Sequence, residues 1–155
     1  MNFKLLADSE DAIPTIARWY FDEWGHLDEG SSVEKFRYKL GKALNRDRVP
    51  LVVLAVESDV IIGVTELKFR EMDIYPEKEH WLGGVFVPSE HRGRGIASSI
   101  VSKASEIAKS FGIATLYLQT ERLSGGLYAC LGWRGLERVS YKGREVLVME
   151  RRFGI

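Results

Sequence analysis

The sequence predicts an α/β fold that combines antiparallel hairpins with at least one parallel crossover. Three features point there. Apolar residues recur at helical spacing in some stretches and form short, β-rich runs in others. Tight turns at Glu57-Ser58-Asp59 and Lys142-Gly143 join consecutive strand candidates into hairpins. A long amphipathic stretch, residues 96–111, separates two further strand candidates, and parallel neighbours need such a crossover.

The elements follow in order. Residues 3–6 are the first strand candidate. Asp8-Ser9-Glu10-Asp11 then offers helix-starting side chains, Pro14 suits a first turn, and Ile13, Ile16, Ala17, Tyr20 and Trp24 follow at helical spacing. Ser31-Ser32-Val33-Glu34 has the spacing of a capping box, in which a hydroxyl and a carboxylate three residues apart satisfy each other's backbone amides. Val33, Phe36, Leu40, Ala43 and Leu44 continue it as a second amphipathic helix. Residues 51–56 are apolar throughout, the pattern of a strand covered on both faces. Residues 60–69 and 81–87 are strands on either side of a polar loop, 70–79. Gly112 sits where the C-terminal cap of the 96–111 helix belongs. Residues 113–118 form a strand, 123–131 a short helix, and 133–139 with 145–151 the last hairpin.

Composition narrows the function classes. The chain has 155 residues, with 22 Lys and Arg against 22 Asp and Glu, a formal net charge of zero. Hydrophobic residues make up 45% and charged ones 28%, which suits a folded globule rather than a disordered chain. With no repeat and no linker-like tract, residues 1–155 read as a single domain. Neutrality argues against a general nucleic-acid or membrane-surface binder, because both need a basic excess. Cys130 stands alone, which excludes an intramolecular disulfide and a multi-cysteine zinc site, and no metal is expected. The first residues lack a signal peptide's apolar run and cleavage site, and no run approaches the ~18 residues of a membrane span. A cytoplasmic location is therefore expected.

The sharpest local signal is His91-Arg92-Gly93-Arg94-Gly95-Ile96-Ala97, between a strand and the long helix. Two glycines let a backbone come close to an anion, and the helix start adds its dipole and unpaired N–H groups. Arg92 and Arg94 are candidate bidentate phosphate partners. The alternative is a tight turn with solvated arginines. No Gly-x-x-x-x-Gly-Lys-Ser/Thr run exists, so this is not a P-loop. A dinucleotide fingerprint fits less well: Gly93 and Gly95 match, Ser98 stands in place of the third glycine, and Glu121 could serve as the ribose acid.

Arg92-Gly93-Arg94-Gly95-Ile96-Ala97 resembles the Arg/Gln-x-x-Gly-x-Gly/Ala signature of the GNAT superfamily of acetyl-CoA-dependent N-acetyltransferases. Leu127-Tyr128-Ala129-Cys130-Leu131-Gly132-Trp133 is similar to that superfamily's later Tyr-x-x-x-Gly-Phe/Trp segment, in the right order and separation. The resemblance implies the acyl-CoA N-acyltransferase fold, a mixed, mostly antiparallel sheet splayed at its centre. It implies acetyl-CoA as co-substrate, with the turn amides from Arg92 to Ala97 holding the pyrophosphate and the backbone of Val85, Phe86 and Val87 pairing with the pantetheine arm. It also implies Tyr128 as the acid that protonates the leaving thiolate. An asparagine common seven residues before that tyrosine is Glu121 here. The resemblance leaves a homodimer open, since dimers are common among relatives.

Acetyl transfer needs a neutral amine, an aligned thioester and a proton for the thiolate, and positioning alone supplies much of the rate. Glu66 and Asp73 are the candidate bases; Glu79, His80 or a water chain are alternatives. Tyr128 could instead be a packing residue. Cys130, among Leu127, Leu131 and Trp133, is expected to be a buried structural thiol. Acceptor recognition is expected from Trp19, Tyr20, Trp24 and His26 and from Met72-Asp73-Ile74-Tyr75, Tyr20 and Trp24 being equally explained as core. The acceptor is expected to be a small-molecule or peptide amine, its identity lying beyond the sequence. The alternative function is a coenzyme-A-binding module without catalysis, and behind it a nucleotide-dependent oxidoreductase.

Overall fold

Residues 1–154 are described by a computed structural model. Its strands are β1 (Asn2–Leu5), β2 (Leu51–Glu57), β3 (Val60–Phe69), β4 (His80–Phe86), β5 (Thr115–Thr120), β6 (Arg134–Tyr141) and β7 (Arg144–Arg152). Its α-helices are α1 (Ile13–Trp24), α2 (Val33–Gly41), α3 (Ile96–Ser110) and α4 (Gly126–Cys130). They form one seven-stranded sheet in the order β1-β2-β3-β4-β5-β7-β6. Every neighbouring pair is antiparallel except β4 and β5, which are parallel and joined through α3. This is the mixed, mostly antiparallel architecture expected. No helix among the described residues is long and apolar enough to cross a membrane.

The unbroken apolar run of β2 follows from its position. Alternate residues of a strand point to opposite faces. Leu51, Val53 and Ala55 therefore join the core under α3, while Val52, Leu54 and Val56 join the core under α1 and α2. Each fully buried Leu or Val is worth about 1.5–3 kcal/mol relative to exposure, so this one strand ties both layers to the sheet. A third, smaller cluster, Met72, Trp81, Tyr141, Val146 and Val148, lies under the loop that follows β3.

Several local expectations shift. Ser32, not Ser31, caps α2, accepting from Lys35 N at 3.1 Å; Lys35 then occupies the capping-box acid's position, so the reciprocal half is missing. The acidic residues 8–11 do not cap α1 but lie in two 3₁₀ turns before it. α2 stops at Gly41, and Leu44 instead bridges Leu51 beside the sheet. α4 starts only at Gly126, because the chain turns at Gly125, whose N–H bonds Arg122 O at 2.9 Å. Cys130 is exposed, which corrects the expected burial: with Ala129 it lies on the outer side of a short helix, while Leu127 and Leu131 are partly buried and Trp133 is buried.

Candidate functional site

The site is built on the only parallel junction among the described residues. β4 and β5 are in register at one pair alone, Trp81 opposite Tyr117. Beyond it the strands diverge, so the β5-facing edge of β4 has no strand partner from Leu82 to Phe86. Into that gap opens a cavity of about 1000 Å³, with Glu66, Gly83, Gly84 and Val85 on one side and Leu118, Gln119, Thr120 and Tyr128 on the other. Helices α1 and α2 close it with Tyr20, Trp24, Phe36 and Leu40.

β4 bends where it meets the cavity. The β3–β4 register shifts between Val64 and Glu66, a bulge centred on Gly84 with φ +59°. Only glycine fits there: a Cβ would stand 2.6 Å from Tyr20 Oη and 2.8 Å from Glu66 Oε2. Tyr20 Oη donates to Gly84 O at 2.8 Å, and Thr65 Oγ1 donates to Gly83 O at 3.0 Å, so side chains fix the bulge. Burial, then the neighbouring Glu66 carboxylate, pushes the Tyr20 phenol well above its ordinary range, so it stays a donor. Beside Glu66, Lys68 pairs with Glu71 at 3.0 Å, and Gln119 Nε2 donates to the other oxygen of Glu71 at 3.2 Å, linking β3 to β5 across the gap. Burial alone would pull Lys68 down, but Glu71 and Glu66 outweigh it and hold the amine charged.

Tyr128 sits on α4, half-buried, with its ring edge-to-face on Trp133 at 6.2 Å between centroids. Burial first, and the Glu71 charge second, raise its pKa to about 12. It therefore keeps its proton at neutral pH and can give it away.

Beyond the end of β4 the chain makes a 3₁₀ turn, Ser89–His91, and enters α3 through Gly93 (φ +80°) and Gly95 (φ +77°). The N–H groups of residues 93–98 have no hydrogen-bond acceptor among the described residues. Six unused donors at a helix start form a nest for an anion. The arginines are occupied: Arg94 Nη2 grips Glu57 at 2.7 and 3.0 Å and Nη1 meets His91 Nδ1 at 3.2 Å, while Arg92 Nε donates to Val87 O at 2.9 Å. They brace the turn, and the backbone supplies the free donors.

The sequence matches the Acetyltransferase (GNAT) family over residues 13–133. The chain belongs to that family. This acetyltransferase is similar in fold to several solved structures. One is a ribosomal-protein-alanine N-acetyltransferase from Brucella melitensis, with a TM-score of 0.78, 20% identity, and coverage of 99% of this chain and 100% of that one. An aminoglycoside 6'-N-acetyltransferase complexed with coenzyme A gives 0.75 at 16% identity, covering 98% and 97%. An N-acetyltransferase from Staphylococcus aureus Mu50 gives 0.75 at 16%, covering 98% and 99%. At such identities the likeness shows the shared acyl-CoA N-acyltransferase fold. A comparison with curated proteins finds no match.

In this acetyltransferase the candidates divide. Glu66 and Tyr128 line the same cavity from opposite sides of the gap. Val85 lines it too, and Phe86, Val87 and residues 92–97 continue β4 into the anion nest. Asp73 lies outside the lining, its carboxylate accepting from Tyr141 Oη at 3.2 Å, and Ile74 and Tyr75 lie outside it as well. Met72 is core. Glu79 and His80 border a second, smaller cavity of about 460 Å³ with Asp47 and Arg48. Glu121 lines the main cavity and pairs with Arg144 at 3.5 Å. Trp19 stacks on Phe86 at 5.5 Å and His26 is exposed. Sequence reasoning passed over Lys68, Glu71 and Tyr20's hydroxyl. Two signals were present: Glu66 and Lys68 alternate onto one face of an otherwise apolar strand, and Gly83-Gly84 interrupts another.

Proposed function

We propose that this acetyltransferase moves an acetyl group from acetyl-CoA directly to a primary amine, without a covalent enzyme intermediate. The observation that carries the reading is the continuity of the unpaired inner edge of β4 with the nest of six free N–H groups. An extended pantetheine arm can add to that edge as a strand adds to a sheet, and a pyrophosphate suits the nest. Residues 82–86 and 93–98 would hold the donor. Acetyl-CoA supplies the activated thioester; the protein supplies alignment and proton traffic.

Glu66, fixed beside Tyr20 and Gly84, takes a proton from the incoming ammonium, leaving the nitrogen lone pair free to attack the thioester carbonyl. As the C–N bond forms the C–S bond breaks, Tyr128 Oη delivers its proton to the sulfur, and the second nitrogen proton, lost as the amide forms, restores the Tyr128 phenol, so that the net release is the one proton taken by Glu66. Asp73, bound to Tyr141 outside the cavity, has no part in this reading.

Thermal melting with acetyl-CoA tests the donor half. At 100 times the Kd, stabilisation of about 2.7 kcal/mol is expected, and none at all refutes it. Thiol release with amines tests the transfer. Binding of both CoA and acetyl-CoA with no release from any amine would make the chain a binding module instead.

A further inference from the structure

Resting on the acetyl-transfer reading above, the charges around the main cavity carry an inference about the acceptor. The lining contains five acids and five bases, and ion pairing removes two of each: Lys68 with Glu71 at 3.0 Å and Arg144 with Glu121 at 3.5 Å. What is left is separated by sign. Asp28, Glu29 and Glu66, with no ion-pair partner among the described residues, lie on the α1–α2 side and at the β3 floor, where Lys39 is the one unpaired base of the lining. Arg122, after β5, and Lys142, in the β6–β7 turn, have no ion-pair partner among the described residues and lie on the other rim. Among the described residues the α1–α2 and β3 side of the cavity thus carries a net negative charge, and the side formed by the segment after β5 and the β6–β7 turn a positive one.

We infer that the acceptor is a primary amine that also carries an anionic group, a carboxylate or a phosphate. Its ammonium goes to Glu66, and its anion to Arg122 and Lys142. A polycation would bring like charge against the hairpin rim, and a polyanion would do so against Glu66, Asp28 and Glu29; such juxtapositions are strongly disfavoured. A neutral amine would use only one pole. The cavity is at the upper end of the roughly 300–1000 Å³ typical of small-molecule sites, which leaves room for a two-ended molecule beside the donor arm.

The test follows thiol release by the whole chain at saturating acetyl-CoA. The acceptors are glutamate, phosphoethanolamine, an alanyl peptide followed by two aspartates, the same peptide with two lysines, and spermidine. Either of the first two, or the acidic peptide, should exceed the lysine peptide and spermidine in kcat/KM by about tenfold, and which of them leads separates a small-molecule from a peptide source. The double variant Arg122→Glu/Lys142→Glu should abolish or invert that ratio. Calorimetric binding of the preferred anionic amine to the CoA-saturated chain should weaken by about tenfold in the same variant, with the milder Arg122→Gln/Lys142→Gln in between. Equal or better use of spermidine or the lysine peptide overturns the inference, as does a ratio unmoved by charge reversal. If no amine is acetylated while acetyl-CoA still raises the melting temperature, the inference fails and the donor half of the reading stands. If acetyl-CoA itself does not bind, both fail.

Discussion

Replacing one glycine tests how the site is held. In Gly84→Ala, the new methyl would stand 2.6 Å from Tyr20 Oη and 2.8 Å from Glu66 Oε2, far inside van der Waals contact. The backbone there has φ +59°, which costs a side-chain-bearing residue about 1–2 kcal/mol. Overpacking adds about 1–3 kcal/mol, because Tyr20 is buried and its hydroxyl is bonded to Gly84 O. The expected loss is about 2–5 kcal/mol, or about 4–20 °C in Tm for a chain of this size. Gly93→Ala is the control: φ is +80°, but nothing lies within 4 Å of its Cβ position, so only the backbone cost of about 1–2 kcal/mol applies. Equilibrium urea unfolding of both variants, with the slopes compared, measures the difference. Thiol release from the surviving folded enzyme should also fall, since the methyl displaces Glu66. Equal losses for the two variants would show that Tyr20 and Glu66 are not packed on the bulge and that the bulge does not position Glu66.

Four further outcomes are expected. Tyr128→Phe should leave acetyl-CoA affinity in place and lower kcat by roughly 10²–10⁴-fold, and full activity would remove Tyr128 from proton transfer. Because the folded Tyr128 pKa lies at about 12, above the unfolded value, its proton stabilises the fold below pH 10 and that contribution is lost between pH 10 and about 12, which alkaline urea titrations of wild type and Tyr128→Phe can compare. Gly95→Asp should abolish the thermal shift with acetyl-CoA, since it places a carboxylate and a strained φ of +77° in the nest; a normal shift would move the anion site elsewhere. Glu150 is buried and shared by Arg134 at 2.5 Å and Arg152 at 3.2 Å; burial alone would raise its pKa, but the two guanidiniums outweigh it and lower it. Its stabilisation is present at neutral pH and lost as pH falls through that depressed value, so Glu150→Gln should flatten the acid limb of a stability–pH curve.

Short-range patterns carried most of the fold. Periodicity located each element of β2, β3, β4 and α3, because burying an amphipathic face leaves its period in the sequence. Ends were less legible: α2 stops at Gly41 because Leu44 is drawn to Leu51, a contact outside the local window. The glycine turn was visible as chemistry, yet its arginines turned out to be held by Glu57 and Val87, partners 37 and 5 residues away.

The two halves of the candidate site show the same division. By itself the sequence determined the glycine turn at the start of α3, since a run of free backbone donors is made by consecutive residues and two glycines are enough to announce it. It also determined that Tyr128 follows on a short helix. Only the tertiary structure decided which carboxylate faces the gap. Glu66 and Asp73 are seven residues apart and chemically alike, but Glu66 points into the opening where β4 leaves β5, beside Tyr20 from a helix 46 residues earlier, while Asp73 is tied to Tyr141 outside it. The physical reason is that a cavity forms where strands part and helices close over them, and such a place is defined by long-range packing that no local spacing records.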